Sequence, residues 1–315
     1  MAYYKTLNTY FYICILQLYP IIRHGLTQKK LHMKTVTIVG LGLIGGSFAL
    51  ALKKTALAEK IIGVDANNVH AQQALELGIA DEIKDLKTAV LSSDLVVLAI
   101  PINAAQKILP EILSYIPENT YVMDMGSTKA GICAAVKNHP KRKHFVATHP
   151  IAGTENSGPS AAFAALFLNK VSIICDAELS CEHAVKMVKK IYQNLWTNVI
   201  TMSADAHDEH IAYVSHLSHI TSFALGQTVL EIEKDEKNIF DMAGSGFEST
   251  VRLAKSSPAM WTPIFIQNKN NILKALNAYE KQIQKMKQMI EKSDADTIYS
   301  YLEQVNDIRR ILNKK

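Results

Sequence analysis

The chain has 315 residues, 48% hydrophobic and 20% charged, with a formal net charge of +5. These values describe an ordinary globular protein with a large core, and the length suggests about two domains. The basic residues are scattered, with no aromatic-interleaved stripe, so no nucleic-acid partner is expected. Four cysteines, Cys14, Cys133, Cys175 and Cys181, show neither metal-type nor redox pairing, which fits a reducing, cytoplasmic setting.

Residues 1–32 stand outside the pattern that follows. Their apolar run at 10–19 is too short to span a bilayer and is followed at once by Pro20, so no membrane partner is expected, a membrane-surface anchor being the minor alternative. Met33 directly precedes the first strand pattern. The expectation is that translation starts there and that 1–32 is a mis-called extension.

From Lys34 the apolar β-branched run ending at Val39 reads as a buried parallel strand. A turn spanning Gly40, Gly42, Leu43, Ile44 and Gly45 follows, with Leu43 and Ile44 expected beside the cofactor, and then a helix pattern from Gly46 through Leu52. Strand, G-x-G-x-x-G and helix form the dinucleotide fingerprint. The glycines give the tight turn, the close approach to a pyrophosphate and the helix–strand packing. A second strand ends in Asp65, about 20 residues after the last motif glycine, where a carboxylate bonds ribose hydroxyls and repels a 2′-phosphate. The cofactor expected is NAD.

Strand patterns at 35–39, 61–64, 95–100, 121–125, 145–148 and 171–175 alternate with helical patterns at 47–54, 69–77, 104–115 and 129–136. The fold class expected is α/β: a doubly wound Rossmann-type parallel sheet over 33–203. The strand that closes in Ile100 and Pro101 should end beside the cofactor. After residue 203 strand signals vanish. Helices at 204–233, 248–255, 258–292 and 295–312 make 204–315 an all-α substrate and dimerisation domain. Helices this long and apolar on one face call for a partner, and a homodimer is expected.

Three clusters carry chemistry. Asp124, Ser127 and Lys129 follow a sheet strand, with Ser127 placed to open a helix as its N-cap. His149 follows another strand and precedes a loop with Thr154 and Glu155; a loop histidine at a strand end suits proton transfer near neutral pH. The third cluster is the helix from His207 to His219, with Arg252 downstream. Ser215 and His219 share one face, while His216 diverges from Ser215 by about 100°. His207 and His210, on adjacent turns, leave a zinc reading open, although no cysteine pairs with them and the H-E-x-x-H order is absent. No metal is expected. Arg252 looks like a carboxylate clamp.

Five motifs together resemble the prephenate/arogenate dehydrogenase family. They are Gly-Leu-Gly-Leu-Ile-Gly-Gly-Ser at 40–47, Asp-x-x-Ser-x-Lys at 124–129, His-Pro-x-x-Gly-Thr-Glu at 149–155, Ser-His-Leu-x-His at 215–219 and Arg-x-Ala-x-x-x-Pro-x-Met-Trp at 252–261. The resemblance implies NAD-dependent oxidative decarboxylation of prephenate to 4-hydroxyphenylpyruvate, in tyrosine biosynthesis, by a homodimer. It implies that His149 is the catalytic histidine, assisted by Ser127, and that Arg252 grips a substrate carboxylate. It also implies that His219 and Ser215 line the substrate pocket, that Thr154 and Glu155 lie near it, and that Trp261 reaches it, from this subunit or from the partner. Tyrosine is an expected feedback inhibitor. Two features depart from the family pattern: Ser218 replaces a frequent proline, and Glu248 replaces a frequent basic residue. If Glu248 faced the pocket it would favour arogenate, which bears an amine. The other readings are an arogenate dehydrogenase and a catalytically silent NAD-binding sensor.

Overall fold

The structure is a computed structural model that describes residues 31–234 and 238–312. The expectations for the extension at 1–32, including its apolar run and Cys14, lie outside the described residues but for the last two positions. From Met33 onward the chain forms one compact unit.

Eight strands make one sheet in the order β3-β2-β1-β4-β5-β6-β7-β8. They are β1 Met33–Val39, β2 Ala58–Val64, β3 Glu82–Ile83, β4 Leu95–Leu98, β5 Tyr121–Asp124, β6 Phe145–Pro150, β7 Val171–Cys175 and β8 Asn198–Met202. Val36, Ile38, Val96, Val97, Val122, Phe145 and Val146 are wholly buried. That is why these strands read as continuous apolar runs rather than alternating ones. β1 pairs in parallel with both β2 and β4. The chain therefore reverses direction across the sheet at β1 and β4, the switch point at which such sheets bind ligands.

The expected parallel sheet has one exception: β6 and β7 pair antiparallel, with His149 opposite Ile173. The intervening segment 151–170 contains a short 3-10 turn, Pro159–Ala161, and no α-helix. A parallel return normally needs a helical crossover. Here the chain folds straight back, and the segment is left as a loop over the strand ends. Two strands were not anticipated. β3 is a two-residue edge. β8 is an edge strand with polar Asn198 and Thr201, and its residues are half-exposed or exposed, so it lacks an apolar run.

Helices α1 Leu43–Lys54, α2 Asn68–Glu76, α3 Leu86–Leu91, α4 Ile102–Tyr115, α5 Ala130–Ala135 and α6 Glu182–Asn194 flank the sheet. α6 also went unread, although Ala184, Val188, Ile191 and Tyr192 bury one face at helical spacing. Beyond β8 every described element is helical. The expected helix over 204–233 is present as α7 Ala204–Ile211, a π-helical turn Ala212–His216 and α8 Leu217–Glu233. The expected helix over 258–292 breaks at Asn268 into α10 Pro258–Gln267 and α11 Lys269–Glu291, after the short α9 Ser245–Val251. Asn268 is buried, and its amide donates to the Asp208 carbonyl at 2.7 Å instead of facing solvent. α12 Ala295–Val305 follows α11. No described helix is long and apolar enough to cross a membrane.

Candidate active site

The carboxyl ends of β1 and β4, the 151–158 loop, the π turn and the start of α10 enclose a cavity of about 570 Å³. Its lining includes Gly42, Leu43, Ile44, Ile100, Pro101, Ser127, His149, Thr154, Glu155, Ser215, His219, Arg252 and Trp261. Residues from both halves of the chain, expected on separate grounds, thus meet in one place. Glu248 is exposed and is not among the lining residues.

The dinucleotide half fits its cofactor. Gly40 has a φ of +95°, and a Cβ there would lie 2.5 Å from the Ala99 carbonyl oxygen. A Cβ on Gly45 would lie 1.9 Å from the Gly40 carbonyl oxygen. Among the described residues nothing lies within 4 Å of a Cβ built on Gly42, which leaves space where a pyrophosphate would approach the backbone. Among the described residues no side chain caps the N-terminus of α1, and its first turn has no acid. Its N–H groups are thus left for an anion. Asp65 accepts from the Leu41 N–H and the Asn67 N–H, both at 2.8 Å, one on each carboxylate oxygen. Each oxygen keeps a lone pair for a ribose hydroxyl.

The floor under the substrate half is buried and ionic. Lys129 and Asp124, both fully buried, form an ion pair. Lys129 Nζ also donates to the Thr148 carbonyl at 2.7 Å, and Asp124 Oδ1 accepts from the Thr148 N–H at 3.0 Å. The pair therefore clamps the residue immediately before His149. The expected N-cap role of Ser127 is not observed. α5 starts at Ala130, and Asp208 from α7 accepts from the Lys129 and Ala130 N–H groups at 2.7 and 2.9 Å. Ser127, relieved of capping, lines the cavity instead.

His149 is 8% exposed. Burial, first, and then the neighbouring His207, Lys129 and His216 hold its pKa well below the usual histidine value. The imidazole is therefore neutral at neutral pH and ready to take a proton. Its Nδ1 lies 2.8 Å from His207 Nε2, and His207 Nδ1 lies 2.7 Å from Asp208 Oδ1. His207 thus belongs to a hydrogen-bonded chain. Among the described residues no group of three or more His, Cys, Asp or Glu is placed to hold a metal.

At the mouth the side chains are looser. Arg252, in a 3-10 turn, pairs with Glu155 at 3.5 Å, with side-chain exposures of 52% and 38%. His219 stacks on Trp261 with ring centroids 3.6 Å apart and donates from Nδ1 to the Ser215 carbonyl at 3.0 Å. Burial lowers the His219 pKa, the Ser215 carbonyl opposes that shift, and Arg252 adds to it. Trp261 Nε1 is buried with no hydrogen-bond partner among the described residues, which leaves a donor for a ligand. As expected, His216 diverges from Ser215: it is fully buried, with Asn268 Nδ2 3.1 Å from its Nδ1.

Two profiles match the chain: prephenate dehydrogenase, nucleotide-binding domain, over residues 48–201, and prephenate dehydrogenase, dimerization domain, over residues 203–304. The chain belongs to the prephenate dehydrogenase family. Prephenate dehydrogenase of Bacillus subtilis is 33% identical over 87% of this chain and 75% of its own length. Cyclohexadienyl dehydrogenase of Zymomonas mobilis is 27% identical over 89% of this chain and 96% of its own. The crystal structure of prephenate dehydrogenase from Aquifex aeolicus, in complex with hydroxyphenyl propionate and NAD+, superposes with a TM-score of 0.84 at 34% identity. It covers 90% of this chain and 100% of that one. Membership makes the chain an NAD-dependent oxidoreductase whose helical part is the family's dimerisation domain.

Three functional features escaped the sequence. Lys170 joins the lining from the residue before β7, brought there by the antiparallel return. His207 meets His149 across 58 positions of sequence, and Asp208 in turn bonds His207. The doublet His207-Asp208 at the start of a helix was the available signal, but spacing alone set it among metal ligands.

Proposed function

We propose that the cavity binds prephenate, with His149 as the proton acceptor and Arg252 as a carboxylate clamp. The observation that carries this reading is the meeting of a neutral, buried imidazole, an arginine and the dinucleotide turn in one cavity. Bound NAD supplies the hydride acceptor for C4 of the substrate ring. His149 accepts the 4-hydroxyl proton as that oxygen gains carbonyl character, and Ser127 helps orient the hydroxyl. Loss of carbon dioxide then aromatises the ring. The developing ketone is the electron sink, so the protein need only orient C4, hold the proton and bind a dianion.

Charge supports the dianion. Both histidines in the lining have lowered pKa values, so among the described residues its cations are Arg252 and Lys170, against the single acid Glu155. Thr154, Ser215, His219 and Trp261 complete the substrate wall. Arogenate is the second reading, and Glu155 favours it, because an acid in the lining suits an ammonium. Residues 33–203 serve as the cofactor domain and 204–315 as the substrate and dimerisation domain, in a cytoplasmic enzyme preceded by residues 1–32. Tyrosine, a phenol with a carboxylate, competes at the same cavity.

The test is NADH formation from prephenate or arogenate with NAD or NADP. Prephenate with NAD should turn over fastest, and His149→Asn should lower kcat by roughly 10²–10⁴-fold. A His149→Asn enzyme with parental turnover would remove the histidine from the mechanism.

A further inference from the structure

The mechanism needs the bare nitrogen of His149 to face the substrate, and nothing in that residue alone fixes which nitrogen is bare. The neighbouring chain of side chains does. Asp208 accepts two backbone N–H groups, Lys129 at Oδ1 and Ala130 at Oδ2, and its own carbonyl accepts from Asn268. Both carboxylate oxygens are thus committed as acceptors, and the residue is held from α5 and from the helix break at 268. A carboxylate has no proton to give, so His207 Nδ1 is the donor in its 2.7 Å contact with Asp208. A neutral imidazole protonated at Nδ1 is bare at Nε2. With His207 neutral, its bare Nε2 accepts from His149 Nδ1 at 2.8 Å. His149 is left with its proton on Nδ1 and its lone pair on Nε2.

We propose that Asp208 and His207 are positioning residues that set the His149 tautomer, so that Nε2 stands unprotonated toward the substrate hydroxyl. The inference rests on His149 being the base. When Nε2 takes the 4-hydroxyl proton, the imidazolium keeps donating from Nδ1 to His207, whose orientation Asp208 fixes. No proton leaves the pair of rings, which cross at 66° with centroids 5.1 Å apart. The charged and titratable groups around His149 are Lys129 just before α5, Asp124 on β5, His207 and Asp208 on α7, and His216 in the π turn. Lys129 disfavours a second positive charge there and is itself paired with Asp124. Asp208 is the acid turned toward His207, and reverse protonation of the two rings would leave a proton where the substrate's must go.

Two variants separate this role from simple packing. In His207→Gln the amide oxygen can still accept from His149 while the amide nitrogen donates to Asp208. In His207→Leu neither bond survives. His207→Leu should lower kcat for prephenate about 10²- to 10⁴-fold, with KM within about threefold. His207→Gln should restore kcat to within about tenfold of the parent, and the acid limb of its kcat–pH profile should stay near the parental one. Equal losses in both variants, or a His207→Leu enzyme within about threefold of the parent, overturn the proposal. Nitrogen-15 NMR of the full-length parent provides a readout without turnover. The His149 signal at neutral pH should report a proton on Nδ1; a proton on Nε2 overturns the assignment even if prephenate is turned over. Parental failure on prephenate with the Nδ1 tautomer intact would instead count against the substrate reading alone.

Discussion

The floor and the mouth of the cavity use similar ionic chemistry to opposite ends. On the floor, Lys129 and Asp124 are fully buried, and each also bonds backbone of Thr148. At the mouth, Arg252 and Glu155 pair at 3.5 Å with about half and more than a third of their side chains exposed. A buried pair is costly to break, because the surviving charge is left desolvated. An exposed pair contributes at most about 1 kcal/mol. The floor therefore fixes the geometry of the base, and the mouth can exchange partners when a substrate carboxylate arrives.

Breaking the floor should have the largest effect. Lys129→Met leaves the Asp124 carboxylate buried and unpaired, and it releases the Thr148 carbonyl. A loss of roughly 3–5 kcal/mol of stability is expected, or failure to accumulate folded protein. Urea denaturation measures it. A variant as stable as the parent would mean that water or a neutralised Asp124 substitutes for the lysine. The double variant Lys129→Met with Asp124→Leu should recover part of the loss, since it removes the orphan charge.

The floor and mouth also differ in how much of each the sequence discloses. Gly40, Gly42, Gly45 and Asp65 are readable because a dinucleotide turn is a local object whose parts lie within about one βαβ unit. His149 and Arg252 are readable as loop and helix residues out of place in a core. The floor is readable as a cluster, since Asp124 and Lys129 stand at one strand end together, but not as a clamp: only the register of β5 beside β6 brings Asp124 against Thr148. His207 gains its role from a neighbour 58 residues away. Lys170 reaches the cavity because β7 returns antiparallel, and an alternating strand–helix reading assumes the opposite sense. Local pattern reveals what one element supplies; it is silent where two elements must meet.

Acid should loosen the floor before the mouth. Burial, chiefly, pushes the His216 pKa down to about 4, and the His149 pKa also lies well below 6.5. Below about pH 6.5 the unfolded chain protonates these rings while the folded chain does not. Protons therefore favour unfolding in that window. Stability is full above about pH 6.5 and falls as the pH drops toward 4, by on the order of 3 kcal/mol from His216 alone. Urea midpoints at pH 7.5, 5.5 and 4.5 report it. His216→Asn keeps an acceptor for Asn268 without a titrating ring, so it should flatten that slope. An unchanged slope would place the acid sensitivity elsewhere.

The mouth should respond in binding and hardly at all in stability. Arg252→Gln removes a cation that the substrate would desolvate, and it should raise KM for prephenate by the equivalent of about 2 kcal/mol or more, with kcat nearly unchanged. Its urea midpoint should match the parent's, because the Glu155 pair it loses is exposed. Glu155→Gln frees Arg252 from its resident partner and removes the one acid among the described lining residues. It should lower KM for the dianion modestly and raise it for an ammonium-bearing substrate, so the ratio of the two KM values moves in one direction only. If Glu155→Gln weakened prephenate binding instead, Glu155 would be orienting Arg252 rather than competing for it. The mouth would then be as preorganised as the floor, and the distinction between them would fail.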